Sequence, residues 1–356
     1  MARIWLVGLA AVGALLIGLA SSAEKRTLTV ITHDSFNLDK KLIGAFEAKN
    51  GIRVAFVKGG DAGAMTNKLI LSKKNPLADV VFGIDNTLVS RAISAGILDS
   101  YKPRAFAGIP VSLRLDPAWR ITHVDYGFVS LNYDKSWFEK NKTALPERLE
   151  DLIKPAFKGL LVAPNPVTSS PGLAFYLATI KTFGEKKALE FWAGLRANDT
   201  KIVAGWDAAY YTEFTRNGGT RPIVVSYASS PAAEVFYSKE KLSVAPTANL
   251  LLPGSSFLQI EGVAVLKGAK NPDLARKFVD FMLEPGVQND IPTQMWVYPI
   301  LEAAKLNDVY RFAQKPSRDQ SAVLQPDTIA ANSARWTSNW TKVVLQGVDP
   351  ASLVVK

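Results

Sequence analysis

The chain has 356 residues, of which 48% are hydrophobic and 21% are charged, and it contains no cysteine. This length predicts about two domains with cores of their own, and the composition excludes wholesale disorder and a fibrous repeat. The lack of cysteine excludes disulfides, thiolate metal sites and thiol nucleophiles. With only two histidines as well, we expect no metal site and no cofactor.

The chain carries 42 Lys and Arg against 32 Asp and Glu, a formal net charge of +10. Its basic residues are scattered in runs no longer than Lys-Lys, whereas nucleic-acid-binding proteins usually gather them into a stripe or patch. We therefore expect no nucleic-acid partner.

The first residues are typical of an export signal. Arg3 supplies a positive charge, residues 4–19 form an apolar run, and small side chains at 21–23 suit signal peptidase. The alternative is a retained membrane anchor, which such a short run supports only marginally. We expect residues 1–23 to be removed and the mature protein to act in the periplasm or otherwise outside the cytoplasm.

Short apolar runs and helical patterns alternate along the mature chain. Strands are predicted at 28–32, 52–57 and 79–84, with helices at 38–49 and 64–72 between them. This alternation predicts a parallel sheet with right-handed crossovers. After an extended segment at 124–133 a second series follows, with strands at 160–163, 201–203 and 222–227 and helices at 172–183, 186–195 and 207–216.

An extended segment at 256–266 is predicted to return the chain to the first unit. The sequence therefore predicts an α/β fold of two lobes, each a mostly parallel sheet with flanking helices. Residues 24–124 would begin lobe 1, residues 125–258 would form lobe 2, and residues 259–356 would complete lobe 1 with C-terminal helices. Ligands bind beyond the carboxyl ends of strands in open α/β sheets, so the interlobe cleft is the predicted site.

Carboxylates and hydroxyls lie in the loops that follow these strands. Asp34, Asp61, Asp85 and Asp125 are candidates for a cationic ligand, although Asp is also a common helix N-cap, an alternative that extends to Asp207. The sequences 168–172 and 229–231 place Ser before Pro at predicted helix starts, where free N–H groups favour an anion such as phosphate or carboxylate. A plain Ser or Thr cap is the alternative at each.

Three aromatic residues, Trp206, Tyr227 and Trp296, fall on loops or strand ends, where a flat or cationic ligand would cover them. A core role is the alternative for the first two. Aromatic rings with carboxylates suit a positively charged heteroaromatic ligand, and the hydroxyl-rich helix starts suit a phosphate attached to it. Trp336 and Trp340, four residues apart, predict a core-facing stripe instead.

In this order and spacing, the motifs resemble those of the periplasmic thiamine-binding proteins of ABC importers, from about Leu28 to the Trp-Thr-Ser-Asn-Trp sequence at 336–340. The resemblance is carried by the segments 34–36, 78–86, 125–127, 168–172, 205–206, 226–231 and 291–299. One departure is His33, where family members often carry Tyr. Another is Ala233, also in place of a Tyr, for which Phe236 or Tyr237 would compensate.

The resemblance implies a type II periplasmic binding protein that captures thiamine, thiamine phosphate or thiamine diphosphate in its cleft and delivers it to an ABC permease. We expect the protein to be a monomer, although the sequence does not itself indicate the oligomeric state. Its lobes would close about hinges near 125–127 and 259–261. The predicted ligand-binding residues, from the loops and from the resemblance, are Asp34, Asp61, Ala62, Asp85, Asp125, Tyr126, Ser169, Ser170, Trp206, Tyr227, Ala228, Ser229, Ser230 and Trp296.

Other ligands and an enzyme are the competing interpretations. Ferric-binding relatives present two adjacent tyrosines after the second-lobe strand, where this chain has Ser226-Tyr227. A polyamine or an organophosphonate would suit the same fold. A Ser-His-Asp enzyme would need one of the two histidines, His33 or His123, beside a serine, and no Gly-x-Ser-x-Gly sequence supports one. We therefore expect capture without chemistry.

Overall fold

The computed structural model describes residues 25–240 and 242–355. The predicted signal segment, residues 1–23, lies outside the described residues. Within those two ranges, no helix has both the length and the apolar character needed to span a bilayer.

Strands and helices alternate from the first described residues onward. In chain order they are β1 (Thr27–Thr32), α1 (Lys40–Asn50), β2 (Arg53–Lys58), α2 (Ala62–Leu71), β3 (Val80–Asp85), α3 (Val89–Ala95), β4 (Leu98–Asp99), β5 (Thr122–Asp134), α4 (Lys135–Asn141), β6 (Leu161–Pro164), α5 (Ser170–Phe183), α6 (Glu185–Ala197), β7 (Lys201–Val203), α7 (Trp206–Ala208), β8 (Ile223–Tyr227), α8 (Ser230–Tyr237), β9 (Thr247–Leu250), β10 (Ser256–Leu266), α9 (Pro272–Phe281), α10 (Pro285–Gln294), β11 (Tyr298–Pro299), β12 (Ser321–Ala322) and α11 (Pro326–Trp340).

The strands form one continuous mixed sheet in the order β2-β1-β3-β10-β5-β8-β6-β7. The parallel pairs predicted for lobe 1 are present, because β1 pairs in parallel with β2 and with β3. In lobe 2, β6 pairs in parallel with β7 and β8. Between these parallel parts, β10 and β5 run antiparallel to each other and to their outer neighbours β3 and β8.

The two long central strands carry the chain between the lobes. β5 and β10 pair with Gln259 opposite Gly127 and Glu261 opposite Asp125, and the register shifts between Glu261 and Gly262. The two predicted hinges therefore lie side by side on neighbouring strands, at a β-bulge.

The predicted helix at 207–216 is present only as far as Glu213 and includes a π-helical turn. α7 ends at Ala208 and continues as a π-helical turn, Ala209–Glu213, after which Phe214 is extended with ψ 132°. Phe214 is fully buried in a small core with Val162 and Val224. Burying this ring against β6 and β8 requires the chain to leave the helical path, so packing overrides local helix propensity.

The C-terminal helix contacts both lobes. α11 packs against α3 of lobe 1 and against α6 of lobe 2. Trp340 meets Trp192 edge to face at 5.4 Å between ring centroids, and the Tyr176 hydroxyl donates to the Trp336 carbonyl at 3.1 Å. The predicted core-facing stripe is confirmed, because both tryptophans are buried.

Candidate functional site

A cavity of about 640 Å³ lies between the lobes. Lobe 1 lines it with the loop after β1 and the start of α2, and lobe 2 lines it with the starts of α5, α7 and α8. Glu261 of β10 and the segment 294–297 after α10 complete the wall. The helix starts and strand ends that the sequence singled out therefore converge on one cavity.

Most of the predicted ligand-binding residues line this cavity. They are Asp34, Asp61, Ala62, Ser170, Trp206, Tyr227, Ser229, Ser230 and Trp296.

The other predicted residues, Asp85, Asp125, Tyr126, Ser169 and Ala228, lie outside the cavity wall. Tyr126 points away because it alternates with its strand neighbours, and its ring stacks on Tyr298 at 5.3 Å. Ser169 is buried behind the wall, where its Oγ caps α5 by accepting the N–H of Gly172 at 3.3 Å.

The Asp61 carboxylate joins the two lobes. Its Oδ1 accepts the backbone N–H of Ser170 at 3.1 Å, and its Oδ2 accepts the backbone N–H of Trp206 at 3.0 Å. It also caps its own helix by accepting the N–H of Ala62 at 2.7 Å. The sequence predicts that the free N–H groups at these helix starts bind an anion. In the structure some of them donate instead to a carboxylate of the chain itself, that of Asp61.

Two further hydrogen bonds join the lobes beside Asp61. The backbone N–H of Ala64 donates to the carbonyl of Thr168 at 2.9 Å, and the Ser35 hydroxyl donates to Asp207 at 2.7 Å. Asp207 does not cap α7, whose N-cap is Gly205. These contacts show the lobes closed around the cavity. Burial raises the pKa of Asp61 in this position, even though its hydrogen bonds favour the ionised form.

Trp206 is held in place by lobe 2. Its ring stacks on Tyr210 at 5.1 Å with an interplanar angle of 18°, and its indole N–H donates to the Ser226 hydroxyl at 2.8 Å. Tyr227 meets it edge to face at 6.1 Å. The indole is therefore fixed before any ligand arrives, and it forms part of the cavity wall.

Trp296 is held in an unusual backbone conformation, with a φ of 58°. Its ring stacks on Tyr310 at 6.0 Å with an interplanar angle of 13°, and its indole N–H donates to the Tyr237 hydroxyl at 3.3 Å. The Ser229 hydroxyl donates to its carbonyl. Left-handed backbone in a bulky residue costs free energy and clusters at functional sites, so this fixed ring is a second candidate stacking surface.

Gln259 connects the lobes beneath the cavity. It accepts the Tyr227 hydroxyl at 2.7 Å, and its amide donates to the Ser170 hydroxyl at 2.7 Å and to Asp85. Burial raises the pKa of Asp85 to about 6, against the hydrogen bonds that favour its ionised form.

Beside this network, His33 Nε2 lies 3.3 Å from Glu261 Oε1, and both residues line the cavity. Three further residues of the cavity wall, Glu261, Glu234 and Arg216, are not indicated by the sequence. Asp207 and Tyr237 also line the wall, although the sequence indicates the first as a carboxylate or helix cap and the second only as a replacement for a missing tyrosine ring. A carboxylate inside a strand carries no local signal of a site, and Arg216 lies beyond the point where the predicted helix ends. Among the described residues, no group of His, Asp and Glu is arranged to hold a metal ion.

The sequence profile of the family described as bacterial extracellular solute-binding protein matches residues 75–315. The thiamine-binding periplasmic protein of Salmonella typhimurium is 32% identical over 338 residues, which cover 93% of this chain and 97% of that protein. The thiamine-binding periplasmic protein of Escherichia coli is 31% identical over 341 residues, with the same coverage.

Among solved structures, a periplasmic thiamin binding protein superimposes with a TM-score of 0.78 at 30% identity, covering 95% of this chain and 99% of that chain. Iron-bound HitA from Pseudomonas aeruginosa, with a TM-score of 0.70 at 23% identity, covers 88% of this chain and 99% of its own and shares the fold alone. The type II two-lobe fold and the resemblance to periplasmic thiamine-binding proteins are thereby confirmed, and the chain belongs to the bacterial extracellular solute-binding protein family.

Proposed function

We propose that this protein captures thiamine or one of its phosphate esters in the interlobe cavity and delivers it to an ABC permease. The observation that carries the proposal is the cavity itself, which combines fixed aromatic rings with an acidic lining. The relatives named as thiamine-binding support the same ligand.

The charge of the cavity is opposite to that of the chain. Although the chain has a net charge of +10, the acidic residues of the lining outnumber the basic ones, which among the described residues are Arg216 and His33. The acidic residues are Asp34, Asp61, Asp207, Glu234 and Glu261. An acidic, low-dielectric cleft attracts a cation and repels an anion, which suits the permanent positive charge of a thiazolium ring.

The aromatic residues of the lining suit the flat shape of the same ligand. Trp206 and Trp296 are each locked by a stacking partner and a hydrogen bond. Tyr237, which lines the mouth with 63% of its surface exposed, adds a third ring. A cation over an indole face gains about 0.5–2 kcal/mol, more when water is excluded.

The phosphate of an ester would meet a different environment at the helix starts. A phosphate binding the N–H groups of Ser170 and Trp206 must displace the Asp61 carboxylate, which accepts both. Thiamine itself requires no such displacement. We therefore expect thiamine to bind with the lobes closed as they are in this structure.

The proposal includes no catalysis. His33 contacts Glu261, and His123 is buried with its pKa lowered to about 4 by burial. Neither histidine is hydrogen-bonded to a serine in the described part of the chain. Iron, which the ferric-binding relatives hold with two adjacent tyrosines, is not favoured either. The adjacent tyrosines of this chain are Tyr210 and Tyr211, and the Tyr210 hydroxyl donates to Glu234 while its ring stacks on Trp206.

The site of action follows from the relatives, which are named as periplasmic. We propose that residues 1–23 direct export, that the mature protein works as a monomer outside the cytoplasm, and that closure of the lobes about the paired hinges precedes docking on the permease.

Isothermal titration of the purified protein with thiamine, thiamine phosphate, thiamine diphosphate and spermidine tests the proposal. Saturable binding of at least one thiamine compound, tighter than spermidine, is the expected result. Mass spectrometry of the small molecule that co-purifies with native protein provides an independent check. Tighter binding of spermidine would instead identify a polyamine carrier, and no response to any of the four would exclude both.

A further inference from the structure

Three carboxylates form one row across the central strands of the sheet. Glu261 of β10 is the register partner of Asp85 on β3 and of Asp125 on β5. Register partners on neighbouring strands project from the same face, with Cβ atoms about 4.5–5.5 Å apart. Glu261, in the centre of the row, lies in the cavity wall, and its two neighbours lie behind that wall.

The two outer carboxylates of the row are buried, and not all of their oxygens accept a hydrogen bond. Asp85 is 0% exposed and Asp125 is 1% exposed. The Thr87 N–H and hydroxyl donate to Asp85, but Asp125 Oδ2 has no hydrogen-bond partner among the described residues. Like charges at this spacing repel, and burial raises the pKa of Asp85 and of Asp125, so both of these carboxyl groups favour the protonated form more than a free Asp does.

His33 contacts the row directly, with its Nε2 atom beside Glu261. Burial lowers the pKa of His33, but the Glu261 and Asp61 carboxylates together raise it above its ordinary value. The imidazole occupies a space that β3 leaves for it. Gly83 has a φ of 112°, and a Cβ there would lie 2.5 Å from His33 Cδ2.

The other titratable groups around the row do not neutralise it. Lys58 donates to the carbonyls of His33 and Phe36 rather than to a carboxylate. Tyr227, at the end of β8, stays protonated because burial raises its pKa, as the four surrounding carboxylates also do. Of the remaining groups, Tyr310 lies near Asp125, and Asp61 lies near His33.

We infer that the row of Asp85, Glu261 and Asp125 exchanges a proton for the positive charge of the ligand. In the ligand-free protein a carboxyl of the row holds a proton. When a fixed cation enters above Glu261, that O–H bond breaks, the proton passes to the buffer, and the carboxylate remains ionised opposite the cation.

This inference rests on the proposed function and deepens it, because it selects a permanent cation over a neutral ring of the same shape. Burial raises the pKa of Asp125 well above its ordinary range, with Glu261 as the second cause, so Asp125 is the carboxyl group that we expect to hold the proton. Since the ligand-free form holds more protons than the complex, affinity should rise with pH.

Titration calorimetry with thiamine in phosphate and in Tris at one pH measures the exchange, because the two buffers differ in ionisation enthalpy. Protons released on binding are taken up by the buffer. We therefore expect the apparent binding enthalpies in the two buffers to differ by the number of protons released multiplied by the difference between the two ionisation enthalpies. The slope of the logarithm of the binding constant against pH should equal the same number of protons released per ligand bound. Equal heats in the two buffers would overturn the inference while leaving thiamine binding intact.

Two variants test whether the released proton comes from the row. Asp125→Asn and Glu261→Gln should each lose the difference between buffers and the dependence of affinity on pH. The remote control Asp273→Asn, whose carboxylate pairs with Arg26 on the surface, should behave as the wild type. The uncharged thiophene analogue of thiamine should bind without proton release. Unchanged proton release in both variants would contradict the assignment.

A measurement without ligand separates this inference from the proposed function. An Asp with a raised folded-state pKa contributes stability at low pH that is lost as the pH rises through that pKa. The unfolding free energy of the ligand-free wild type should therefore fall relative to Asp125→Asn as the pH rises from about 4 to 8. Parallel curves would overturn the proton row even if thiamine binds, and a difference would support it even if thiamine does not.

Discussion

The Oδ2 atom of Asp61 in lobe 1 accepts the backbone N–H of Trp206 in lobe 2 at 3.0 Å. Its other oxygen accepts the N–H of Ser170, so one side chain connects the starts of three helices across the cleft. Hydrogen bonds to a charged group contribute about 1.5–3 kcal/mol each. This residue should therefore set how easily the lobes close.

Replacing Asp61 by Ala should weaken thiamine binding about tenfold or more, because the closed form loses its charge-assisted hydrogen bonds. The same change frees the N–H groups of Ser170 and Trp206, so the affinity for thiamine diphosphate relative to thiamine should increase. Titration calorimetry with both ligands measures the two effects. Asp34→Ala is the control, since Asp34 lines the same cavity but its Oδ1 accepts the N–H of Gly60 within lobe 1. An equal loss in both variants would show that Asp61 acts only by its charge.

Replacing Gly63 by Ala should favour the open form. A Cβ at this position would lie 2.7 Å from the backbone carbon of Thr168 in the other lobe, too close for the closed contact. Alanine is better than glycine inside a helix by about 0.8–1.0 kcal/mol, so the variant should remain folded. We expect weaker thiamine binding and a larger radius of gyration in solution scattering with ligand.

Gly44→Ala is the matched control for this variant. Gly44 also lies in a helix of lobe 1, but a Cβ there would meet nothing within 4 Å. It should bind thiamine like the wild type. If Gly63→Ala binds thiamine equally well, the interlobe contact at Thr168 is not part of the ligand-bound form.

Replacing Trp206 by Ala should weaken thiamine binding by about 1–3 kcal/mol, since a stacking surface for the ligand is lost. The circular dichroism spectrum should be unchanged, because the side chain is only partly buried. Trp137→Ala, which removes a partly buried indole packed on Phe138 in α4, serves as the comparison and should leave affinity unaffected. Loss of helical signal in the Trp206 variant would instead mean that the indole supports the core of lobe 2.

His123 should make the protein less stable in acid. Its folded-state pKa is lowered to about 4 by burial, below the value of about 6.5 for an unfolded histidine. As the pH falls below about 6.5 the unfolded chain binds the proton first, so the unfolding free energy should decrease by up to about 3 kcal/mol near pH 4.

Urea unfolding of the wild type and of His123→Gln across this pH range measures the effect. The variant should lack that part of the pH dependence, whatever its absolute stability. The sign is opposite to that expected of Asp125, so the two groups can be separated. Identical pH profiles would show that His123 is protonated without unfolding.

The sequence predicts the elements of the fold well where hydrophobic periodicity is local. β1, α2 and β3 all follow from apolar runs and helical spacing, and α1 ends at Gly51, a left-handed C-cap with φ 64°. The end of the helix before Phe214 is not predicted, because Phe214 leaves the helical path to fill a core made by residues distant in sequence. The contacts of α11 with α3 and α6 likewise join segments far apart in the chain, so no local pattern indicates them.

Many residues of the site can be predicted from the sequence, but the hydrogen bonds that join them cannot. Trp206, Ser170 and Trp296 stand where strands or helices begin or end, and such positions can be found from the pattern of elements. The hydrogen bond from Ser170 to Asp61 joins residues 109 positions apart in the chain. No local pattern indicates that a carboxylate of one lobe accepts the backbone N–H groups at the helix starts of the other. Glu261 was overlooked because an ionisable residue within a β-strand is expected on the solvent side.

The unbroken sheet has a consequence for how the molecule melts. β5 and β10 contribute to both halves, and one apolar cluster joins Ile31 and Met65 of the first lobe to Phe175 and Trp192 of the second. We therefore expect that neither lobe unfolds while the other stays folded. Heating should give a single calorimetric transition whose van't Hoff and measured enthalpies agree, and the slowest amide exchange should lie in the middle strands.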